Sequence, residues 1–148
     1  VLGVLLYNWE TWALKESTKK KLRVFEMSCL RKIKGVTRRD RVRNTEIRRE
    51  LKVETDVVQI IQRRRLRYFG HITRMSGERL PAIPFSGNVH GSRKRGRPKK
   101  RWEDNLKADL DEMGHTMVEA IRLASSDRDV WRKSVLGLSE RGSQSRRH

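Results

Sequence analysis

Leu22, Phe25, Cys29, Leu30 and Ile33 recur at i, i+3, i+7, i+8 and i+11, and Gly35 stands just past the last of them. That spacing predicts one apolar stripe on a helix, capped at its start by Ser17 or Thr18 and closed by a glycine. The other faces carry Lys19, Lys20, Lys21, Arg23, Arg31, Lys32 and Lys34, so the stripe is narrow and the exterior basic. Cys29 falls on the stripe as a small core residue. A chain built this way folds by laying helices side by side.

The same period returns downstream. Asn44 can cap a short helix over 45–52, and Thr55 or Asp56 a longer one carrying Val58, Ile61, Tyr68, Phe69, Ile72 and Met75. Arg63, Arg64, Arg65 and Arg67 lie within that helix and span more than one turn. One or two of them must therefore meet the buried face, snorkelling or pairing with an acid. Trp102, Leu106, Leu110 and Met113 form another stripe, closed by Gly114. The carboxylates of Glu103, Asp104, Asp109, Asp111 and Glu112 read as the solvent face of that helix and as first-turn partners of its dipole. Thr116 and Glu119 make a capping box for a helix with Met117, Ala120, Ile121 and Ala124, and Asp127 caps a last one with Trp131 and Val135. Trp102 and Trp131, at helical spacing among aliphatic residues, are read as core.

Two stretches lack this period. The run Val1 to Tyr7 reads as a short strand entered midway, as in a fragment of a longer chain, with Trp9 and Trp12 shielding the core after it. From Ser76 to Arg101, Gly77, Pro81, Pro84, Gly87, Gly91, Gly96 and Pro98 break any regular element. The expected fold class is mostly α, a small helical module or modules with a short N-terminal strand and a long basic Gly/Pro linker. Its divisions are a basic helical subdomain over 1–75, a flexible linker over 76–101, a helical subdomain over 102–136 and a disordered tail over 137–148.

Charge says what such a chain binds. The 148 residues carry 36 lysines and arginines against 18 acids, a net charge of +18. Residues 1–101 hold 28 of those cations against 9 acids, whereas 102–148 hold 8 against 9. The surplus demands a polyanion, RNA and/or DNA, and assigns it to the first two thirds of the chain. No apolar run approaches the roughly 20 residues of a membrane span, and nothing resembles a secretory signal, so an intracellular, nuclear protein with no membrane partner is expected. A single cysteine and the scattered His71, His90, His115 and His148 exclude a cysteine zinc site, and no metal or cofactor is expected.

The densest cationic run is Arg93 to Arg101, with seven basic side chains in nine positions. Within it Arg95, Gly96, Arg97 and Pro98, between Lys94 and Lys99, Lys100, Arg101, match the core of an AT-hook. Glycine thins the backbone, proline holds it extended, and Arg97 can enter a narrow A·T minor groove. The plainer alternative is a solvated linker that meets phosphates unspecifically or serves as a nuclear address. Arg93 with the exposed connector arginines Arg38, Arg39 and Arg41 and the helical Arg63, Arg64 and Arg67 completes the expected nucleic-acid-binding set. Tyr68 and Phe69 could stack bases, but they continue the apolar stripe and are read as core. Catalytic candidates are absent: adjacent carboxylates diverge on a helix and cannot hold two metal ions, and no nucleophile set or phosphate-binding loop occurs.

The order of motifs is more specific than any one of them. Leu5-Leu6-Tyr7-Asn8-Trp9-Glu10-Thr11-Trp12 is followed by Phe25-Glu26-Met27-Ser28-Cys29-Leu30-Arg31-Lys32-Ile33 and by Asp40-Arg41-Val42-Arg43-Asn44. Then come Arg64-Arg65-Leu66-Arg67-Tyr68-Phe69-Gly70-His71-Ile72-Thr73-Arg74-Met75, the run Arg95 to Trp102, and Asp127-Arg128 with Trp131-Arg132. This series, covering about Leu5 to Arg132, resembles the region downstream of the polymerase in non-LTR retrotransposon reverse transcriptases of the endonuclease-reverse transcriptase type. Trp9 departs from it, since the family usually has a small Gly-Ser pair before the glutamate. The resemblance implies a basic helical tail that grips template RNA and target DNA. It also implies that the endonuclease residues and polymerase aspartates lie upstream, leaving this chain catalytically silent alone. Two alternatives stay open: a working part of an RNA-directed DNA polymerase once joined to its upstream domain, and a stand-alone DNA binder of AT-hook or helix-turn-helix type.

Overall fold

A computed structural model of the chain describes residues 2–75 and 100–144. Among the described residues every regular element is helical: α1 (Leu2–Leu5), a 3-10 turn (Trp9–Thr11), α2 (Glu16–Lys34), α3 (Asn44–Glu50), α4 (Val57–Thr73), α5 (Trp102–Met113), α6 (Met117–Ser126) and α7 (Arg128–Gln144). The mostly α class holds. The N-terminal strand does not, because among the described residues no second strand lies beside it to pair its backbone. Helical and turn hydrogen bonds, such as Tyr7 N–H to the Val4 carbonyl at 3.3 Å, satisfy those groups locally. The helix of α7 continues to Gln144, beyond the point at 137 where the sequence suggests a tail.

The capping residues act largely as their chemistry dictates. Asp56 Oδ1 accepts from Val58 N–H at 2.7 Å, and Gln59 Oε1 accepts from Asp56 N–H at 3.0 Å. Thr116 and Glu119 form the corresponding box at α6, and Asp127 Oδ1 accepts from the amides of Asp129 and Val130 at 2.7 and 3.2 Å. Gly35 and Gly114 close α2 and α5 with φ of 74° and 76°, which a side chain would oppose. Neither Ser17 nor Thr18 caps α2, which begins two or three residues earlier than expected, at Glu16 after Lys15. Asn44 is the first residue of α3, and its Oδ1 accepts from Arg31 instead of capping.

Asp56 also holds Arg23 Nε at 2.6 Å and is buried. Asp56→Ala therefore removes a cap and leaves the α2–α4 contact without its anion. A loss of about 2 kcal/mol is expected in urea unfolding, above the ~1 kcal/mol typical of a cap alone. An unchanged midpoint would show that neither interaction matters to the fold.

Helix α4 organises the packing. Its first half contributes Val57, Val58 and Ile61 to a cluster with Leu6, Leu14 and Leu22; its second half contributes Leu66 and Phe69 to a cluster with Leu106, Leu110, Met113, Ala120, Ala124, Trp131 and Val135. The two ends of the sequence thus share one helix. Trp131 is core, as its spacing predicts, and its indole N–H donates to the Leu66 carbonyl at 3.0 Å. Trp102 is partly buried, meets Tyr68 edge-on at 6.3 Å and donates to the Glu10 carbonyl at 2.7 Å. Beside it the buried Asn105 amide, oriented to satisfy both its polar atoms, donates to the Leu14 carbonyl and accepts from Leu14 N–H, each at 2.9 Å. These bonds tie the loop before α2 to the start of α5.

The buried face of α2 is not the one its apolar spacing suggests. Leu22, Glu26, Met27 and Leu30 are buried, while Phe25 is 43% and Ile33 70% exposed, and Cys29 lies half-buried between. The reason is Glu26. It forms an ion pair with Arg48 of α3 and accepts from Val57 N–H at 3.2 Å, at the buried first turn of α4, where that amide has no partner within the helix. A polar residue with two tertiary tasks sets the rotation of the helix, and Phe25 is carried to the outside.

Candidate nucleic-acid interface

Met27, Leu30 and Ile47 pack α2 against α3, with Val36, Val42, Leu51 and Val53 around them. Val36 and Val42 bracket the connector, so the five residues between them project from a fixed base. The exit from α2 is equally defined: Gly35 N–H bonds the Lys32 carbonyl at 3.2 Å and Val36 N–H the Arg31 carbonyl at 3.0 Å. Asp40 then folds the turn back on itself, its Oδ2 accepting from Thr37 N–H at 2.7 Å and from the Thr37 hydroxyl at 2.9 Å. These two bonds, the backbone one first, hold the Asp40 carboxyl below the usual carboxylate range. Arg41 follows in the left-handed region at φ 51°.

The consequence is electrostatic. Asp40, the one acid within the connector, points at Thr37, while Arg38, Arg39, Arg41 and the adjoining Arg43 are exposed. None of the four forms an ion pair among the described residues. Freedom from pairing matters because a cation already held by a carboxylate releases little on meeting a phosphate.

Elsewhere the basic residues divide. On α2, Lys19 pairs with Glu16 at 2.8 Å, Arg23 with Asp56, and Lys34 with Glu50 at 2.7 Å, which leaves Lys20, Lys21 and Lys32 exposed and without an ion pair among the described residues. The α4 cluster is mostly inward. Arg65 is 1% exposed and binds Asp109 at 2.6 Å, and Arg64 donates to the Leu6 carbonyl at 2.8 Å. Arg63 is half-buried, and Arg67 stands exposed. So the expected set is not brought together on α4: Arg64 serves the fold, whereas Arg38, Arg39 and Arg41 form one surface at the α2–α3 turn. Lys100 lies 3.9 Å from Glu16 and Arg101 is exposed at the start of α5. Arg93, Lys94, Arg95, Gly96, Arg97, Pro98 and Lys99, including the AT-hook core, lie outside the described residues.

Two expectations about acids and aromatics are corrected. Asp109 is buried against Arg65 rather than solvated, because that guanidinium needs an anion where water is excluded. Burial, the largest influence, raises the Asp109 pKa despite the opposing pull of Arg65. Phe25, read as core, reaches solvent on the lysine-bearing face of α2, while Tyr7 and Trp12 are exposed at the N-terminal end. The polar Glu26 interrupting its neighbourhood is the sequence signal that could have shown it. Among the described residues no group of three or more His, Cys, Asp and Glu side chains could hold a metal ion, and no helix is long and apolar enough to cross a membrane.

No family model matches the chain, and no solved structure matches it. Over 114 residues, 74% of this chain, it is 25% identical to an uncharacterized transposon-derived protein of Caenorhabditis elegans. The matched part makes up 41% of that protein, so the chain spans about two fifths of the relative's length. A basic helical chain with an unpaired arginine turn is thus similar to part of a transposon-derived protein.

Proposed function

We propose that the chain is a non-catalytic nucleic-acid-binding module of a retrotransposon reverse transcriptase, acting downstream of the polymerase on RNA or DNA. The observation that carries this reading is the α2–α3 turn, where Arg38, Arg39 and Arg41 are exposed, unpaired and fixed from below. Similarity to a transposon-derived protein supports the genetic context, and the ordered motifs from Leu5 to Arg132 support the reverse transcriptase. The basic run Arg93 to Arg101 supplies a second anchor in this reading and a nuclear address.

Changing Arg38, Arg39 and Arg41 together to serine should weaken binding to a 20-base-pair duplex at least tenfold at 0.1 M salt. The slope of log affinity against log salt should become shallower by about 2 to 3, as expected for three lost phosphate contacts. Fluorescence anisotropy across a salt series measures both. An affinity and slope equal to those of the parent chain would remove the turn from the binding surface.

A further inference from the structure

The outer face of α2 combines features that phosphate binding alone does not explain. Lys21, Phe25, Ser28 and Lys32 follow i, i+4, i+7 and i+11 on that face, with Val24 and Lys20 alongside, and all six are exposed. Lys21 and Lys32 are about 17 Å apart along the axis. From Ser17 to Ile33 the face bears no carboxylate, since Glu26 is turned inward to Arg48. The row ends at the arginine turn, because Gly35 directs the chain from α2 straight into Arg38 and Arg39. An exposed phenylalanine by itself is ordinary. Here it is centred between two cations in a row that leads to more.

A protein partner with an apolar groove would meet uncompensated lysines on both sides of Phe25, and desolvating them is costly. A duplex would offer phosphates to the lysines but no accessible base face to the ring. A single strand supplies both, a phosphate for each cation and an unstacked base for the ring between them. We infer that α2 is a platform for single-stranded nucleic acid, with Phe25 stacking a base between phosphates held by Lys21 and Lys32 and the strand continuing to Arg38 and Arg39. This rests on the proposed nucleic-acid reading and adds the form of the ligand.

The test compares the parent chain, Phe25→Ala, Phe25→Tyr and the Arg38/Arg39/Arg41→Ser variant by fluorescence anisotropy. The probes are a 12-nucleotide RNA, the DNA strand of the same sequence, and the matching DNA duplex. Phe25→Ala should lose about tenfold affinity for one or both single strands and less than twofold for the duplex, while Phe25→Tyr retains parental affinity. The arginine variant should lose affinity for all the probes bound by the parent. The RNA and DNA arms show which strand the platform takes. Unchanged single-strand binding by Phe25→Ala, with the arginine variant impaired, overturns the platform and leaves the phosphate reading standing. Equal losses on strand and duplex also overturn it. A parent chain that binds no probe overturns both.

Discussion

Gly70→Ala should lower the stability of the fold by about 3 kcal/mol, although alanine is the better helix former by ~1 kcal/mol in an unencumbered position. A Cβ at position 70 would lie less than 3.0 Å from Nε1 and Cδ1 of the Trp131 indole. That ring cannot swing aside as a surface lysine would. It is 2% exposed, its N–H is bonded to the Leu66 carbonyl, and it packs tilted on Phe69 with centroids 5.7 Å apart. The added methyl must therefore push α7 off α4, or force the indole out of its hydrogen bond, and either opens the larger hydrophobic cluster. Urea unfolding followed by far-ultraviolet circular dichroism measures the loss. A variant as stable as the parent would show that α7 does not rest on α4 at Gly70. Trp131→Phe removes the donor and shrinks the ring, so combining it with Gly70→Ala should cost less than the two changes summed, the coupling expected of side chains that collide.

That contact also marks where the sequence stops being readable. The stripe of α5, the capping boxes, and the glycines that close α2 and α5 are local patterns, each fixed by neighbours within a few residues, and the structure places them where their chemistry requires. Glycine inside a helical stretch carries no such instruction. Only the tertiary approach of Trp131, 61 positions later, explains Gly70. Glu26 and Asp109 are the same lesson in charge. Each looks solvent-facing beside apolar neighbours, and each is buried because a cation far along the chain, Arg48 or Arg65, comes to meet it. Of the candidate interface, the connector arginines were legible because no helical spacing could place them in a core. The sorting of the α4 arginines was legible only in part: helical geometry dictates that some face inward, but not that Arg64 reaches the Leu6 carbonyl while Arg67 stays free at the surface. Phe25 misled because a helix with an apolar stripe can turn about its axis when a buried ion pair demands it.

The Arg65–Asp109 pair predicts an asymmetry between its two halves. Asp109→Leu should cost about 4 kcal/mol at pH 7, because it strands a guanidinium that is 1% exposed and cannot shed its proton. Nη1 of Arg65 already lacks a hydrogen-bond partner among the described residues, so nothing nearby replaces the lost anion. Arg65→Met strands a carboxylate instead, and a carboxylate can take up a proton. Burial already raises the Asp109 pKa with Arg65 present, and removing Arg65 raises it further. A folded-state pKa above the unfolded value means that the native state binds the proton more tightly. This group's contribution to stability therefore grows as pH falls through the folded pKa and is lost as pH rises through it. Arg65→Met should accordingly cost about 2 to 3 kcal/mol at pH 7, and the deficit relative to the parent should shrink toward pH 4, whereas that of Asp109→Leu should not. The double variant Arg65→Met/Asp109→Leu removes both desolvation penalties and fills the space with apolar atoms, so it should recover to within about 1 kcal/mol of the parent. Urea midpoints of the four proteins at pH 7 and pH 4 measure these differences. Additive losses in the double variant would show that the two charges act independently. Parallel pH dependence in the two single variants would show that Asp109 stays ionised when its partner is gone. Either result would contradict a pair whose burial cost outweighs its attraction.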